Sequence, residues 1–104
     1  MKTPEGKLKD QVKTFLRERG AWFFMPVPTG YGTPTLDFIG CYKGRFFAIE
    51  TKAPGKKPTS RQMATMEAIN KHGCTMWGDD ASMLLEQLRL WMEKVDVYAT
   101  VHPV

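Results

Sequence analysis

The sequence predicts a mixed β-sheet packed between α-helices, in the order α-β-β-β-α-β-α, and three observations support this fold class. Apolar residues recur at helical spacing near both ends of the chain and once in between. Two strand-like segments flank the dipeptide Lys43-Gly44, which is a hairpin pattern. The run Phe46-Phe47-Ala48-Ile49 has no polar face, which is typical of a central strand covered on both sides. The 104 residues are expected to form one domain, residues 1–104.

The first helix is marked by Thr3-Pro4-Glu5, in which a capping hydroxyl precedes a proline suited to the first helical position. Its predicted end is Gly20. The apolar stripe of this helix consists of Leu8, Val12, Phe15 and Leu16. Residues 21–27 are predicted to form a strand, and residues 28–34, rich in glycine, proline and threonine, a loop.

The hairpin is predicted from residues 36–42 and 45–51, since only Lys43-Gly44 lies between them and suits a two-residue turn. That turn pairs Tyr42 with Arg45. Continued to the open end of the hairpin, the same register places Asp37 directly opposite Glu50, with Cβ atoms roughly 5 Å apart.

The second half of the chain is predicted to contain a loop over 54–58, a helix over 59–72, a strand over 74–77 and a helix capped by Asp79 or Asp80. Thr59 and Gln62 have the spacing of a capping box, and Gly73 is a stop for the middle helix. The buried side of the last helix is predicted to consist of Leu84, Leu85, Leu88, Trp91, Met92 and Val95.

The opposed carboxylates Asp37 and Glu50 point to a metal site. Like charges directly opposite each other destabilise a sheet, and a divalent cation between them would offset the repulsion. Oxygen ligands suit Mg²⁺ or Mn²⁺. Lys52 shares a face with Glu50 because strand side chains alternate. The alternative is that all three are solvated residues in weak ion pairs at strand ends.

Two helical residues are candidates for the same site. Glu5 lies on the apolar stripe of the first helix and so points toward the protein; alternatively it is an acid favoured by the helix dipole. Gln62 shares a stripe with Met66 and Ile69, and its alternative role is the reciprocal half of the capping box.

Composition and charge narrow the class of protein. Hydrophobic residues make up 42% and charged residues 25%, as in globular domains, and no apolar run approaches the roughly 20 residues needed to span a bilayer. The N-terminus lacks the pattern of a signal peptide, so a cytoplasmic location is expected. A net charge of +4 weakly favours a polyanionic partner.

Asp37 followed by Glu50-x-Lys52, with Glu5 in the preceding helix, resembles the PD-(D/E)xK nuclease superfamily. The wider sequence is similar to its VRR-NUC family, of the stand-alone phage or bacterial type. The matching segments are Gly32-Thr33-Pro34-Thr35-Leu36-Asp37, Ile49-Glu50-Thr51-Lys52-Ala53-Pro54, Ser60-x-Gln62 and Gly73. One departure is visible: the family's Pro-Asp is replaced by Pro34-Thr-Leu-Asp37, so either the strand is entered two residues later or the proline has lost its local role.

The resemblance implies a restriction-endonuclease-like sheet and a Mg²⁺- or Mn²⁺-dependent DNA endonuclease. Small members of this type cut branched DNA, including Holliday junctions, as homodimers, and a phage enzyme would act in the host cytoplasm. On this resemblance the metal ligands are Glu5, Asp37, Glu50 and the carbonyl of Thr51. The catalytic residues are Asp37, Glu50, Lys52 and Gln62.

DNA contacts are expected from two loops, Lys56-Lys57 and Gly30-Tyr31-Gly32, because lysines attract phosphate and glycines let the main chain approach it. A homodimer is expected through Trp22-Phe23-Phe24 and an apolar tail after the last helix that includes Val97, Tyr98 and Val101. The tail could instead fold back over its own sheet. The alternatives to this function are a non-catalytic DNA-binding or regulatory domain on the same fold and a sequence-specific restriction-type nuclease.

Overall fold

The computed structural model describes residues 2–27, 30 and 32–103. This part of the chain forms a sheet in the order β1-β2-β3-β4 and three helices, which confirms the predicted α-β-β-β-α-β-α order. The strands are β1 (Trp22–Phe24), β2 (Phe38–Tyr42), β3 (Arg45–Thr51) and β4 (Cys74–Gly78). The helices are α1 (Pro4–Glu18), α2 (Ser60–Asn70) and α3 (Ala81–Val101). Because β3 pairs antiparallel with β2 and parallel with β4, the sheet is mixed, as predicted.

The β2–β3 hairpin has the predicted register, with Tyr42 opposite Arg45 and Ile39 opposite Ala48. Its turn residues, Lys43 and Gly44, have φ angles of 48° and 80°. Positive φ at both central positions is the type I′ geometry, whose twist matches that of the two strands. The turn therefore fixes which residues meet at the far end of the hairpin.

Helices cover β3 on both faces, as its two-sided apolar sequence predicted. One face packs against α1 and α3, and the other packs against α2. Phe47, Ala48 and Ile49 are completely buried between these layers. A strand held in this way gives Glu50 and Thr51, which follow directly, a rigid support.

Two boundaries differ from prediction at the entrance to the hairpin. β1 ends at Phe24, and β2 starts at Phe38 instead of residue 36. Leu36 is 2% exposed and packs with Ala48 and Met66 under α2. Because Leu36 is drawn into this second core cluster, the chain joins the ladder only after Asp37.

The residues expected in an apolar tail after the last helix, Val97, Tyr98 and Val101, belong instead to α3, which continues to Val101. Val95 lies in the core, while Val97, Tyr98 and Val101 are exposed on the helix surface. Asp80, one of the two predicted caps, begins this helix by accepting a hydrogen bond from the Met83 N–H. Within the described ranges no helix is long and apolar enough to cross a membrane.

Candidate active site

Asp37 and Glu50 meet at the open end of the hairpin. The last ladder pair is Phe38 with Ile49, so one further step in the register places Asp37 opposite Glu50. The Asp37 N–H donates to Oε1 of Glu50 at 3.2 Å. Glu50 is only 5% exposed, whereas Asp37 is half-buried. The predicted juxtaposition of the two carboxylates is therefore present.

The Asp37 carboxylate is oriented by Thr51. Its Oδ2 accepts hydrogen bonds from the Thr51 N–H at 2.9 Å and the Thr51 hydroxyl at 2.7 Å. In a strand, the N–H and C=O of one residue point to the same side. The Thr51 carbonyl therefore faces the edge at which Asp37 lies, where the family resemblance expects a metal ligand.

Gln62 joins the strand residues to the start of α2. Its Nε2 donates to Oε2 of Glu50 at 2.7 Å, and its Oε1 accepts from Nζ of Lys52 at 3.2 Å. The same Oε1 accepts from the Thr59 N–H at 2.9 Å, which completes the capping box. Gln62 thus completes the capping box and also contacts Glu50 and Lys52.

Glu5 reaches the site through Lys9, which the sequence analysis did not single out. Nζ of Lys9 donates to Oε2 of Glu5 at 2.9 Å and lies 4.0 Å from Oδ2 of Asp37. Burial lowers the pKa of Lys9, whereas the hydrogen bond with Glu5 and the charges of Asp37 and Glu50 raise it; the net direction is upward. The spacing of four residues, which puts Glu5 and Lys9 on one helix face, is the sequence signal that could have indicated this ion pair.

The position of Glu50 disfavours its charge. Burial and then the neighbouring Asp37 charge raise the pKa of Glu50 from 4.5 to about 7, although the Asp37 N–H, Lys52 and Lys9 act in the opposite direction. A carboxylate at the end of an apolar strand and beside a second carboxylate has this property. Its charged form would be stabilised by a cation bound at the pair.

The carboxylates open into a pocket of about 390 Å³, referred to below as the carboxylate pocket. Its lining includes Asp37, Glu50, Gln62, Arg61, Thr65 and the segment around Gly30, Gly32, Thr33 and Pro34. Gly30 and Gly32 have φ angles of 81° and 84°, in the region that favours glycine. Tyr31, also predicted to contact DNA, lies outside the described residues. Lys56 and Lys57 are exposed, four and five positions beyond Lys52.

The donor chemistry of the pair fits a hard divalent cation, since Asp37, Glu50 and the Thr51 carbonyl offer oxygen ligands. Among residues 2–27, 30 and 32–103, no three acidic, histidine or cysteine side chains are grouped to hold a metal ion. Glu5 is paired with Lys9 instead of joining Asp37 and Glu50 directly. The oxygen atoms that could bind one ion directly are thus those of two carboxylates and a carbonyl, a small set of the kind suited to Mg²⁺, which keeps several waters.

Comparison with known structures addresses the fold. A solved structure described as a "VRR_NUC domain" matches with a TM-score of 0.70 and 17% sequence identity, over 85% of this chain and 97% of that chain. This chain has the VRR_NUC fold. The fold resemblance expected from the Asp37, Glu50 and Lys52 pattern is thus confirmed. No protein-family model and no curated protein sequence matches the chain.

Proposed function

We propose that this protein is a divalent-metal-dependent DNA endonuclease that hydrolyses phosphodiester bonds in branched DNA such as Holliday junctions. One observation carries the proposal: on a VRR_NUC fold, Asp37 and Glu50 adjoin each other, and Gln62 links Glu50 to Lys52. Two carboxylates that can hold a divalent ion, with an ammonium linked to one of them through Gln62, suit metal-assisted phosphodiester hydrolysis.

Asp37, Glu50 and the Thr51 carbonyl would hold Mg²⁺, for which Mn²⁺ could substitute, and Glu5 could complete the ligand shell through a water. A divalent ion bound here would lower the pKa of a bound water and offset negative charge on the phosphate. Thr51 holds the Asp37 carboxylate in place through two hydrogen bonds. The oxygen atoms that would bind the ion thus lie together at the ends of the strands, and that of Asp37 is held in a fixed orientation.

Lys52 would orient the attacking water or stabilise the oxygens of the pentavalent phosphate as a point charge. Gln62 restrains its ammonium group, because Oε1 of Gln62 accepts the Lys52 hydrogen bond while Nε2 holds Glu50. Gln62 therefore acts as a positioning residue for Lys52 and Glu50.

Substrate binding is assigned to exposed residues of two loops. Lys56 and Lys57 supply charge for the phosphate backbone, and Gly30 and Gly32 allow the main chain to approach it. Tyr31, between those glycines, is included in this proposed DNA-binding loop.

A homodimer is proposed because cutting both opposing strands of a junction requires two sites related by symmetry. Exposed apolar side chains support it: Trp22 is 66% and Phe24 is 46% exposed on β1, and β1 lies at the edge of the sheet. Sedimentation velocity at micromolar concentration tests the proposal. A monomer that still cuts four-way junctions symmetrically would contradict it.

The activity itself is tested by incubating labelled junction, flap, single-strand and duplex DNA with the purified protein and Mg²⁺, Mn²⁺ or chelator. Asp37→Asn is the matched control, because its amide oxygen can still accept hydrogen bonds from Thr51 while the charge is lost. Metal-dependent cleavage by the wild type and none by Asp37→Asn is expected. Binding without cleavage under all these conditions would instead favour the non-catalytic DNA-binding domain.

A further inference from the structure

A second groove adjoins the carboxylate pocket. It has a volume of about 610 Å³ and lies between α2 and the Thr33-Pro34 segment. The two cavities share Thr33, Pro34, Arg61 and Thr65 in their linings. This α2 groove therefore begins where the proposed reaction site ends, so that a strand bound at the carboxylates could continue into it.

The walls of the α2 groove are mainly apolar. Ala64 and Ala68 line it from α2, and because their side chains end at Cβ, they leave depth beside the helix. Phe46 and Ile69, both half-buried, add an aromatic ring and an aliphatic side chain. From Arg61 to Ile69, both in the lining, α2 advances about 12 Å at helical rise, a length greater than one stacked base.

The apolar walls of the α2 groove determine which part of a nucleic acid can bind there. A paired duplex presents charged phosphates on its outside and keeps its bases stacked inside. Its outer surface therefore does not complement an apolar groove. An unpaired nucleotide exposes the face of its base, which stacks on aromatic and apolar side chains in a sequence-tolerant way. The α2 groove is therefore suited to single-stranded DNA.

Arg61 provides a positive charge where the two cavities meet, and this charge complements the phosphates of DNA. It is exposed and lines both the α2 groove and the carboxylate pocket. A guanidinium binds phosphate through two parallel hydrogen bonds. At this position it can hold the phosphate that joins a nucleotide in the groove to the one at the carboxylates.

We propose that the α2 groove binds the unpaired nucleotides that adjoin the scissile phosphate, so that the protein selects DNA with a single-stranded segment next to the cut. The inference rests on the proposed nuclease function and applies to branched DNA that carries an unpaired strand, such as forks and flaps. It can be tested by binding alone, without cleavage.

The test variant is Ala64→Leu/Ala68→Leu, in which two larger side chains fill the groove. Leucine is chosen because it favours the helix and has no aromatic face on which a base could stack. The matched control is Gln11→Leu/Thr14→Leu, which adds the same two leucines at exposed positions of α1. Circular dichroism and thermal melting verify that both variants fold. The probes are a fluorescent forked DNA and a fully paired duplex of the same sequence, titrated with protein in chelator so that neither is cut.

The wild type and the α1 control are expected to bind the fork at least about fivefold more tightly than the duplex, the effect of stacking a single base. The α2 variant is expected to bind both probes equally. A wild type with no preference, or an α2 variant that keeps it, would overturn the inference. So would a wild-type dimer that the α2 variant converts to a monomer, since the groove would then hold a second copy of the chain.

Failure of this inference is distinguishable from failure of the proposed function. If the wild type cuts DNA with Mg²⁺ but the α2 substitutions leave fork preference intact, only the groove assignment is wrong. If the preference depends on the groove but no DNA is cut with Mg²⁺ or Mn²⁺, the nuclease proposal fails, and the groove remains a binding site for unpaired nucleotides.

Discussion

Replacing Glu50 with glutamine should change the pH dependence of folding stability in metal-free buffer. The fold raises the pKa of Glu50 from 4.5 to about 7, so between these values the folded protein binds more protons than the unfolded chain. Stability must then fall as pH rises. The stabilisation by the protonated carboxyl is complete below about pH 4.5 and is lost as the pH rises through about 7.

The magnitude follows from the size of the pKa change. At about 1.4 kcal/mol per pH unit, the rise from 4.5 to about 7 corresponds to a loss of about 3 kcal/mol in the free energy of unfolding. Glu50 is 5% exposed but borders the carboxylate pocket, so solvent screening reduces this value, and about 3 kcal/mol is its upper limit. Glu50→Gln cannot titrate, and its curve should lack this component.

Urea unfolding between about pH 5 and pH 7.5 measures the effect as the difference between wild type and Glu50→Gln, in which other titrating groups largely cancel. The amide at position 50 turns an N–H toward the Nε2 donor of Gln62 or the Asp37 N–H, which gives the variant a constant offset. The slope is unaffected by that offset. Parallel curves for the two proteins would refute the assignment of a raised pKa to Glu50.

Mg²⁺ provides a second arm of the same experiment. A cation that binds the charged pair should stabilise the wild type more at about pH 7.5 than at about pH 5, because its ligands must be deprotonated. Adding chelator should reverse the gain. Equal stabilisation of wild type and Asp37→Asn would show that the ion binds elsewhere.

Three further variants each test one role. Lys52→Ala should lower the cleavage rate while changing Mg²⁺ affinity, measured by calorimetry, by less than about tenfold; loss of ion binding would contradict its assigned role. Lys56→Ala/Lys57→Ala should reduce the slope of log affinity against log salt by about 2, and an unchanged slope would make the loop merely solubilising. Asp37→Ala should be less stable than Asp37→Asn by about 1–3 kcal/mol in urea unfolding, because it leaves two buried Thr51 donors without an acceptor. Equal stability of the two variants would exclude this contribution.

The hairpin could be predicted because its geometry is local. A two-residue turn at Lys43-Gly44 admits one register, and that register carries through to Asp37 and Glu50. Cross-strand repulsion alone predicts that removing either carboxylate is harmless to folding. The hydrogen bonds from Thr51 change that expectation for Asp37, and they depend on a side-chain orientation that the register does not specify.

The features that could not be predicted depend on how helices pack on the sheet. Glu5 is half-buried and paired with Lys9, and the approach of Lys9 to Asp37 depends on how α1 packs against the sheet. The late start of β2 has a similar cause. Leu36 leaves the strand pattern to pack under α2, and sequence alternation cannot distinguish burial in a ladder from burial in a loop.

For Gln62, the capping-box spacing alone could not show whether the side chain caps α2 or contacts the candidate site. A primary amide has a carbonyl oxygen that accepts two hydrogen bonds and a nitrogen that donates two. Here the oxygen serves both the Thr59 cap and Lys52, and the nitrogen remains for Glu50. Glutamate would complete a capping box equally well, but it would place a third carboxylate against Glu50. The helix start alone accepts either residue, whereas the contact with Glu50 favours glutamine.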